Sequence, residues 1–362
     1  MGQEIASVAE FPLAAAREAI TPAMYGANPG QRLIAAKCLG LIEGYDHRWR
    51  HAPYRILEVE CVLTSELYNP QTTRKSRSFI LAGKLDVRAE EKATGARILF
   101  DHKTSSQEIT DPNAPYWRQL VIEGQVNHYM SLEWLNGNKV DAAVWDVVRK
   151  PGISPRILSK ADTQEVLATG QYMDYVLTEE DQELFAPESR ETPAMYAARL
   201  ARDSIAERPE WYFQRRQVPR LDSELRDYML EVWGHGQDIL AARQNHRWPR
   251  NSGACMLYGT PCKYLNVCSG YDTIDSLNWS PQPWVHPELP VVDDQGRGTN
   301  ILTNSRIRTF QTCRRKHYYS YELGMEKLDQ EERDALYFGN LFHAGLEQYF
   351  LTTKQLEEKG QL

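Results

Sequence analysis

Between Tyr54 and Val148 the spacing of apolar residues changes period twice, and that order constrains the fold more than any other feature of the chain. Three short runs rich in branched and aromatic residues, Ile56 to Leu67, Ser78 to Val87 and Ala96 to Asp101, are separated by the turn signals Asn69-Pro70 and Thr94-Gly95. They read as a strand meander. Tyr116 to Leu135 then takes up helical spacing, and Asp141 to Val148 reads as another strand closed by Lys150-Pro151. Before the meander, Leu33, Ala36, Leu41 and Tyr45 repeat near helical period. The order is helix, three strands, helix, strand, which is that of an α/β chain.

Beyond this run, residues 160 to 205 are polar and helical in character. Trp211 to Val218 reads as a strand leading into a helix from Ser223 to Gln244, and residues 270 to 300 as a linker or long surface loop. Thr303 to Leu323 and Ala335 to Leu356 are two strong helical stretches. At 362 residues, 42% hydrophobic and 25% charged, the chain has the composition of a globular protein. No window approaches the roughly 18 apolar residues of a membrane span, and no basic-then-apolar leader opens the chain, so the expectation is a cytoplasmic protein without a membrane partner. A formal charge of -7 argues mildly against nucleic acid, yet a groove can be basic in an acidic whole. Arg314, Arg315 and Lys316 form one basic run, which on charge alone is as readily a solvated helix face.

Gly83-Lys84-Leu85-Asp86 ends one predicted strand and Asp101-His102-Lys103-Thr104 ends the next, which brings two carboxylates and an ammonium together. Phosphodiester hydrolysis needs a divalent ion to neutralise the phosphate and acidify the attacking water, and Mg2+ or Mn2+ prefers hard oxygen ligands such as Asp86 and Asp101. Lys103, two residues past Asp101, points to the same side and can orient the water or stabilise transition-state charge. His102 points away and offers its backbone carbonyl as a further metal ligand. Asp-x-Lys alone is a weak motif, because exposed strand faces often carry alternating charges. The following helix strengthens it: Gln125 and Tyr129, at i and i+4, share a face and can hydrogen-bond the lysine or the nucleic-acid backbone.

Taken together, Gly-x-x-Asp, Asp-x-Lys-Thr and Gln-x-x-x-Tyr over residues 83 to 151 resemble the RecB-type branch of the PD-(D/E)XK nucleases. The resemblance implies a PD-(D/E)XK core with a mixed sheet flanked by helices, Mg2+ or Mn2+, and phosphodiester cleavage in DNA, with Asp86, Asp101, Lys103, Gln125 and Tyr129 as catalytic residues. Glu58-Val59-Glu60 is similar to the strand preceding the catalytic hairpin, and Glu60 is given no catalytic role.

Cys255, Cys262 and Cys268 lie within one short segment whose spacing differs from that of structural zinc sites, and Cys313 is the candidate fourth ligand. The competing reading is four unrelated buried cysteines, which is how Cys38 and Cys61 are taken. Resemblance to the iron-sulfur members of the branch, phage exonucleases among them, implies a 4Fe-4S cluster on Cys255, Cys262, Cys268 and Cys313 in a helical region.

Residues 301 to 362 resemble what normally begins such a domain. Gly339-x-x-x-His343 carries the family's metal-binding histidine, and Glu347 one turn later is placed to steady it. The resemblance thus implies a circular permutation: a nuclease core over 1–268, a linker over 269–300, and a helical segment over 301–362 that completes the same domain. Leu362 should then lie near Met1, with Asp86, Asp101, His102 and His343 at the metal. A truncated second module is the competing reading. The function expected is a metal-dependent deoxyribonuclease, an exonuclease in DNA recombination, repair or processing; the alternative is an inactive DNA-end-binding or scaffolding protein of the same fold.

Overall fold

A computed structural model describes residues 10–26, 28–282, 286, 289, 301–328 and 333–362. Two helices, α1 (Phe11–Ile20) and α2 (Pro29–Trp49), precede three strands, β1 (Tyr54–Tyr68), β2 (Lys75–Glu91) and β3 (Arg97–Ser105). Then come α3 (Pro115–Val121), α4 (Gly124–Leu135) and β4 (Ala142–Arg149). An excursion follows with α5 (Lys160–Thr169), a small hairpin of β5 (Gln171–Tyr172) and β6 (Tyr175–Val176), α6 (Glu179–Leu184), α7 (Pro193–Arg202) and α8 (Pro209–Tyr212). The chain returns through β7 (Phe213–Val218) and α9 (Asp222–Gln244) to α10 (Leu265–Ser269) and β8 (Trp279–Pro281). It ends with β9 (Ile301–Leu302), α11 (Asn304–Thr312), α12 (Arg314–His317), β10 (Met325–Lys327) and α13 (Asp334–Glu358).

The main sheet is mixed, in the order β1-β2-β3-β4-β7. β3 and β4 are parallel, their neighbours pair antiparallel, and β9 adds to β2 in parallel. The crossing between β3 and β4 is made by α3 and α4, as a parallel pair requires. The α/β class and the helix-flanked mixed sheet expected from the sequence are what the fold has. Two predicted helices are divided. Tyr116 to Leu135 breaks at Ile122-Glu123, where Glu123 takes an extended ψ of 121°. Thr303 to Leu323 breaks at Cys313, whose φ of -162° and ψ of 113° end α11. Among the described residues no helix is long and apolar enough to cross a membrane.

Each sheet face buries its own core. On one face α1, α2 and α13 pack through Ile20, Leu41, Tyr45, Phe338, Phe342 and Leu346 onto Val87, Ile98 and Phe100. On the other, α3, α4 and α9 pack through Trp117, Val126, Leu132 and Val232 onto Leu81, Leu99 and Trp145. The terminal helix is therefore part of the main fold: Phe338 and Phe342 stack at 6.0 Å, and Cys38 Sγ lies 3.8 Å from the Phe338 carbonyl. Leu362 and Pro12 border one cavity, while Met1 lies outside the described residues. Phe342 is 1% exposed, so Phe342→Ala is expected to cost about 3–5 kcal/mol of unfolding free energy in a denaturant titration. An appended module would instead leave the main transition where it is.

Candidate active site

The site forms where β2 and β3 part. Their ladder runs from Glu90↔Arg97 to Val87↔Phe100 and stops there, so Asp86 and Asp101 stand at the mouth of the fork. Farther along the same edge of β2, β9 takes up pairing at Ile80 and Leu81, which leaves the stretch between open. The His102 N–H freed by the fork donates to Asp86 Oδ2 at 2.6 Å. A carboxylate held by a backbone donor is fixed before any ligand arrives.

Lys103 reaches the same opening. Its Nζ lies 2.5 Å from Asp101 Oδ2, donates to Gln125 Oε1 at 2.9 Å and sits 5.3 Å above the Trp145 ring. Gln125 in turn donates from Nε2 to the Tyr129 hydroxyl at 2.9 Å, one turn along α4. Gly83 allows α4 this close: a Cβ there would meet Tyr129 Cε1 at 2.9 Å. The pairing of Asp-x-Lys with Gln-x-x-x-Tyr is thus a contact in the structure, although its catalytic use rests on function.

α13 supplies the remaining part from about 240 residues away in sequence. His343 Nε2 lies 3.2 Å from Asp86 Oδ1, and Nδ1 lies 3.6 Å from Glu60 Oε1. Donor atoms of Glu60, Asp86 and His343 all fall within 4.8 Å of one another, whereas Asp101 is outside that trio and tied to Lys103. The His102 ring points away from the opening, stacked on Phe350 at 5.2 Å with Nδ1 3.2 Å from Asp146. Glu347 is half-buried one turn beyond His343, whose ion partners are Asp86 and Glu60.

Sequence reasoning passed over Glu60. It sits in β1 with φ +54°, a left-handed conformation costing a non-glycine residue about 1–2 kcal/mol. The strands change faces there: Val59 and Val87 pack with the α13 side, but Cys61 and Leu85 with the α4 side. Glu60 faces Asp86 at the pivot, between the pairs Val59↔Val87 and Cys61↔Leu85. The alternating Glu58-Val59-Glu60 pattern gives no sign of such a twist.

Burial raises the Asp86 carboxyl, but His343, His102 and Lys103 outweigh it and hold it below the usual carboxylate range. Burial also pushes Asp101 upward, with Asp86 adding to the rise and Lys103 opposing it. For His343, burial lowers the imidazole pKa, yet Asp86, Glu60 and Asp101 carry it up to about 9. The ring is therefore cationic at neutral pH. Its stabilising contribution is complete below the unfolded value near 6.5 and is lost as pH rises through about 9.

The donors fit a hard divalent cation. Two carboxylates and an imidazole converge, and Asp101, 3% exposed, has among the described residues no hydrogen-bond donor on its carboxylate other than the Lys103 ammonium. Residues 301–362 match the PD-(D/E)XK nuclease superfamily model. Nucleases of that superfamily are phosphodiesterases that usually use Mg2+ or Mn2+. The match covers α11 to α13, including His343, and stops short of the β2–β3 fork. No curated protein and no solved structure matches the chain.

The four cysteines gather at the far end of α11. Asn251 ties three parts together: its N–H points at Cys313 Sγ at 3.4 Å, its carbonyl faces Cys255 Sγ at 3.6 Å, and its side chain donates to Thr312 O at 2.8 Å. The Cys262 N–H donates to the Cys255 carbonyl at 2.8 Å. Burial raises the Cys268 thiol, and Cys262, Cys313 and Cys255 add to it against Arg315. All four are free thiols, and no three of their sulfurs lie within 4.8 Å of one another. A tetrahedral zinc would hold them about 3.8 Å apart. The basic run is partly committed to this region, since Arg315 Nε donates to Trp248 O at 2.7 Å and Arg314 pairs with Asp238 at 3.1 Å.

His343 must lose its proton to act as a ligand, so Mn2+ binding at pH 7.5 is expected to release about one proton. Calorimetry in buffers of different ionisation enthalpy reads this directly, and the apparent affinity should rise with pH up to about 9.

Proposed function

We propose that this protein is a divalent-metal-dependent deoxyribonuclease, acting as an exonuclease in DNA recombination, repair or processing. The observation that carries the reading is the convergence of Asp86 and Asp101 from the fork, Lys103 with Gln125 and Tyr129, and His343 from α13 on one opening. Asp86, Asp101, His343 and the His102 carbonyl would hold Mg2+ or Mn2+. Bound there, the cation supplies charge for the scissile phosphate and lowers the pKa of a water. Lys103, steadied by Gln125, orients the attacking water and stabilises negative charge developing on the phosphate oxygens. Tyr129 fixes Gln125 by accepting from its Nε2.

Cys255, Cys262, Cys268 and Cys313 would carry a 4Fe-4S cluster, a reading that rests on the sequence resemblance and on the four thiols sharing one region of the fold. The cluster would be structural, joining the 252–269 segment to α11. Residues 301–362 would be the family's opening segment moved to the end, completing the domain of residues 1–268 across the 269–300 linker. The packing of α13 on α1 and α2 favours that reading over a truncated second module.

End-labelled linear and closed circular DNA tests the activity. With Mn2+, label should leave the linear substrate only, and Lys103→Ala should slow the reaction about 100-fold or more. A folded protein that binds DNA ends without cutting them would instead be a binding module. Iron and acid-labile sulfide measured on anaerobically purified protein should be present together and fall together in Cys313→Ser; zinc without sulfide would contradict the cluster.

A further inference from the structure

A groove beside the site has no part in the chemistry assigned above. It starts at the break between α3 and α4, one residue before Gln125, and runs between α9 and α11 toward Cys313. Facing helical stripes wall it: Asn304, Arg308 and Gln311 stand at i, i+4 and i+7 on α11, and Tyr228, Glu231 and His235 at i, i+3 and i+7 on α9. Its first cavity measures about 430 Å³, and the next, which shares His235 and Gln311 with it, about 270 Å³. Gly124 seats α4 at its head, where a Cβ would meet Tyr228 at 3.3 Å and Asn304 Oδ1 at 3.4 Å.

The polar groups in this groove are amides more than free charges. Among the described residues the side chains of Gln119 and Asn304 have no hydrogen-bond partner, and Gln311 donates only to His235 Nε2, at 2.8 Å. Arg308 is matched by Glu123 at 3.1 Å and Arg314 by Asp238 at 3.1 Å, while Glu231 has no ion pair among the described residues. At the head of the groove Ile122 is 84% exposed, and Arg220 fixes the turn by donating to the Val121 carbonyl at 2.8 Å.

We infer that this groove takes the bases of a short unpaired stretch of DNA, continuous with the strand at the cleavage site, with Ile122 packed against the first of them. The inference rests on the nuclease reading and gives that site its form of substrate, DNA with a single-stranded end. An amide carries a donor and an acceptor side by side, as the free edge of a base does, and in a duplex the Watson–Crick edges are already used. Phosphates fit the groove poorly, because its arginines are matched and Glu231 repels them. The bases therefore face inward and the phosphates outward. From Asn304 to Gln311 the α11 stripe rises about 10 Å, the span of about three stacked nucleotides. An exposed apolar side chain on a fixed turn offers an unstacked base the face it has lost. A peptide could also bond these amides, but the groove opens beside Gln125, which holds Lys103 at the phosphodiester site.

Fluorescence anisotropy on the full chain in EDTA tests this with labelled duplexes that are blunt or carry an unpaired extension of about four nucleotides at the 5′ or the 3′ end. An extension of one polarity should raise affinity about tenfold or more. That gain should change less than about twofold between roughly 50 and 200 mM salt, since the groove neutralises no phosphate. Asn304→Ala combined with Gln119→Ala should remove most of the gain and leave the affinity for blunt duplex and the melting temperature as in wild type. Gln311→Ala serves in the same assay should that pair not fold. Equal affinity for blunt and extended duplexes, a gain that vanishes with salt, or a full gain in the folded amide variant would each overturn the inference. Protein that cuts linear DNA but gains nothing from an extension would count against the inference alone, and protein that prefers extended ends yet cuts nothing with Mn2+ against the nuclease reading alone.

Discussion

The contact between Asp86 and His343 joins two parts of the chain that no local interaction could bring together. Asp86 is fixed by the His102 N–H where β3 leaves β2, and His343 is fixed by a helix buried along α1 and α2 through Phe338, Phe342 and Leu346. Burial works against both ionised forms, and each is held charged largely by the other. A partly buried pair of this kind is a modest source of stability but a strong positional constraint, because removing one partner leaves the other without its counter-charge. The core around α13 provides the stability, and the pair uses it to set geometry.

Behind the opening a second set of buried charges supports the first. Asp146 accepts from the Tyr45 hydroxyl at 2.5 Å and from Arg215 at 3.1 Å, and it faces His102 Nδ1 at 3.2 Å. Arg215 lies 4.2 Å above the Trp49 ring. His102, stacked on Phe350 of α13, therefore links this set to the terminal helix while its backbone serves Asp86. Each sheet face thus contributes one half of the site: α13 delivers the histidine, and α4 delivers the partners of Lys103.

Much of this was legible in the sequence because it follows local periodicity. The meander, the crossing helix and the return strand were visible as changes of period, and Asp101-x-Lys103 fell on one strand face for the same reason. Gln125 and Tyr129 were legible as an i, i+4 pair. What was not legible depends on tertiary geometry. β3 leaves β2 at Val87 and β9 takes up the same edge only at Ile80 and Leu81, a pairing of two residues that leaves no hydrophobic pattern. Glu60 owes its position to a left-handed backbone that no residue type announces. The break at Cys313 overrides a helical run because the thiol end of α11 is tied to Asn251.

The account stands on a cation shared between the strand fork and the terminal helix. Anomalous diffraction from crystals grown with Mn2+ tests this most directly. The predicted result is one peak within ligand distance of both Asp86 and His343 Nε2. A peak held by Asp86 and Asp101 with His343 turned away, or no peak at the fork in folded protein, would contradict it.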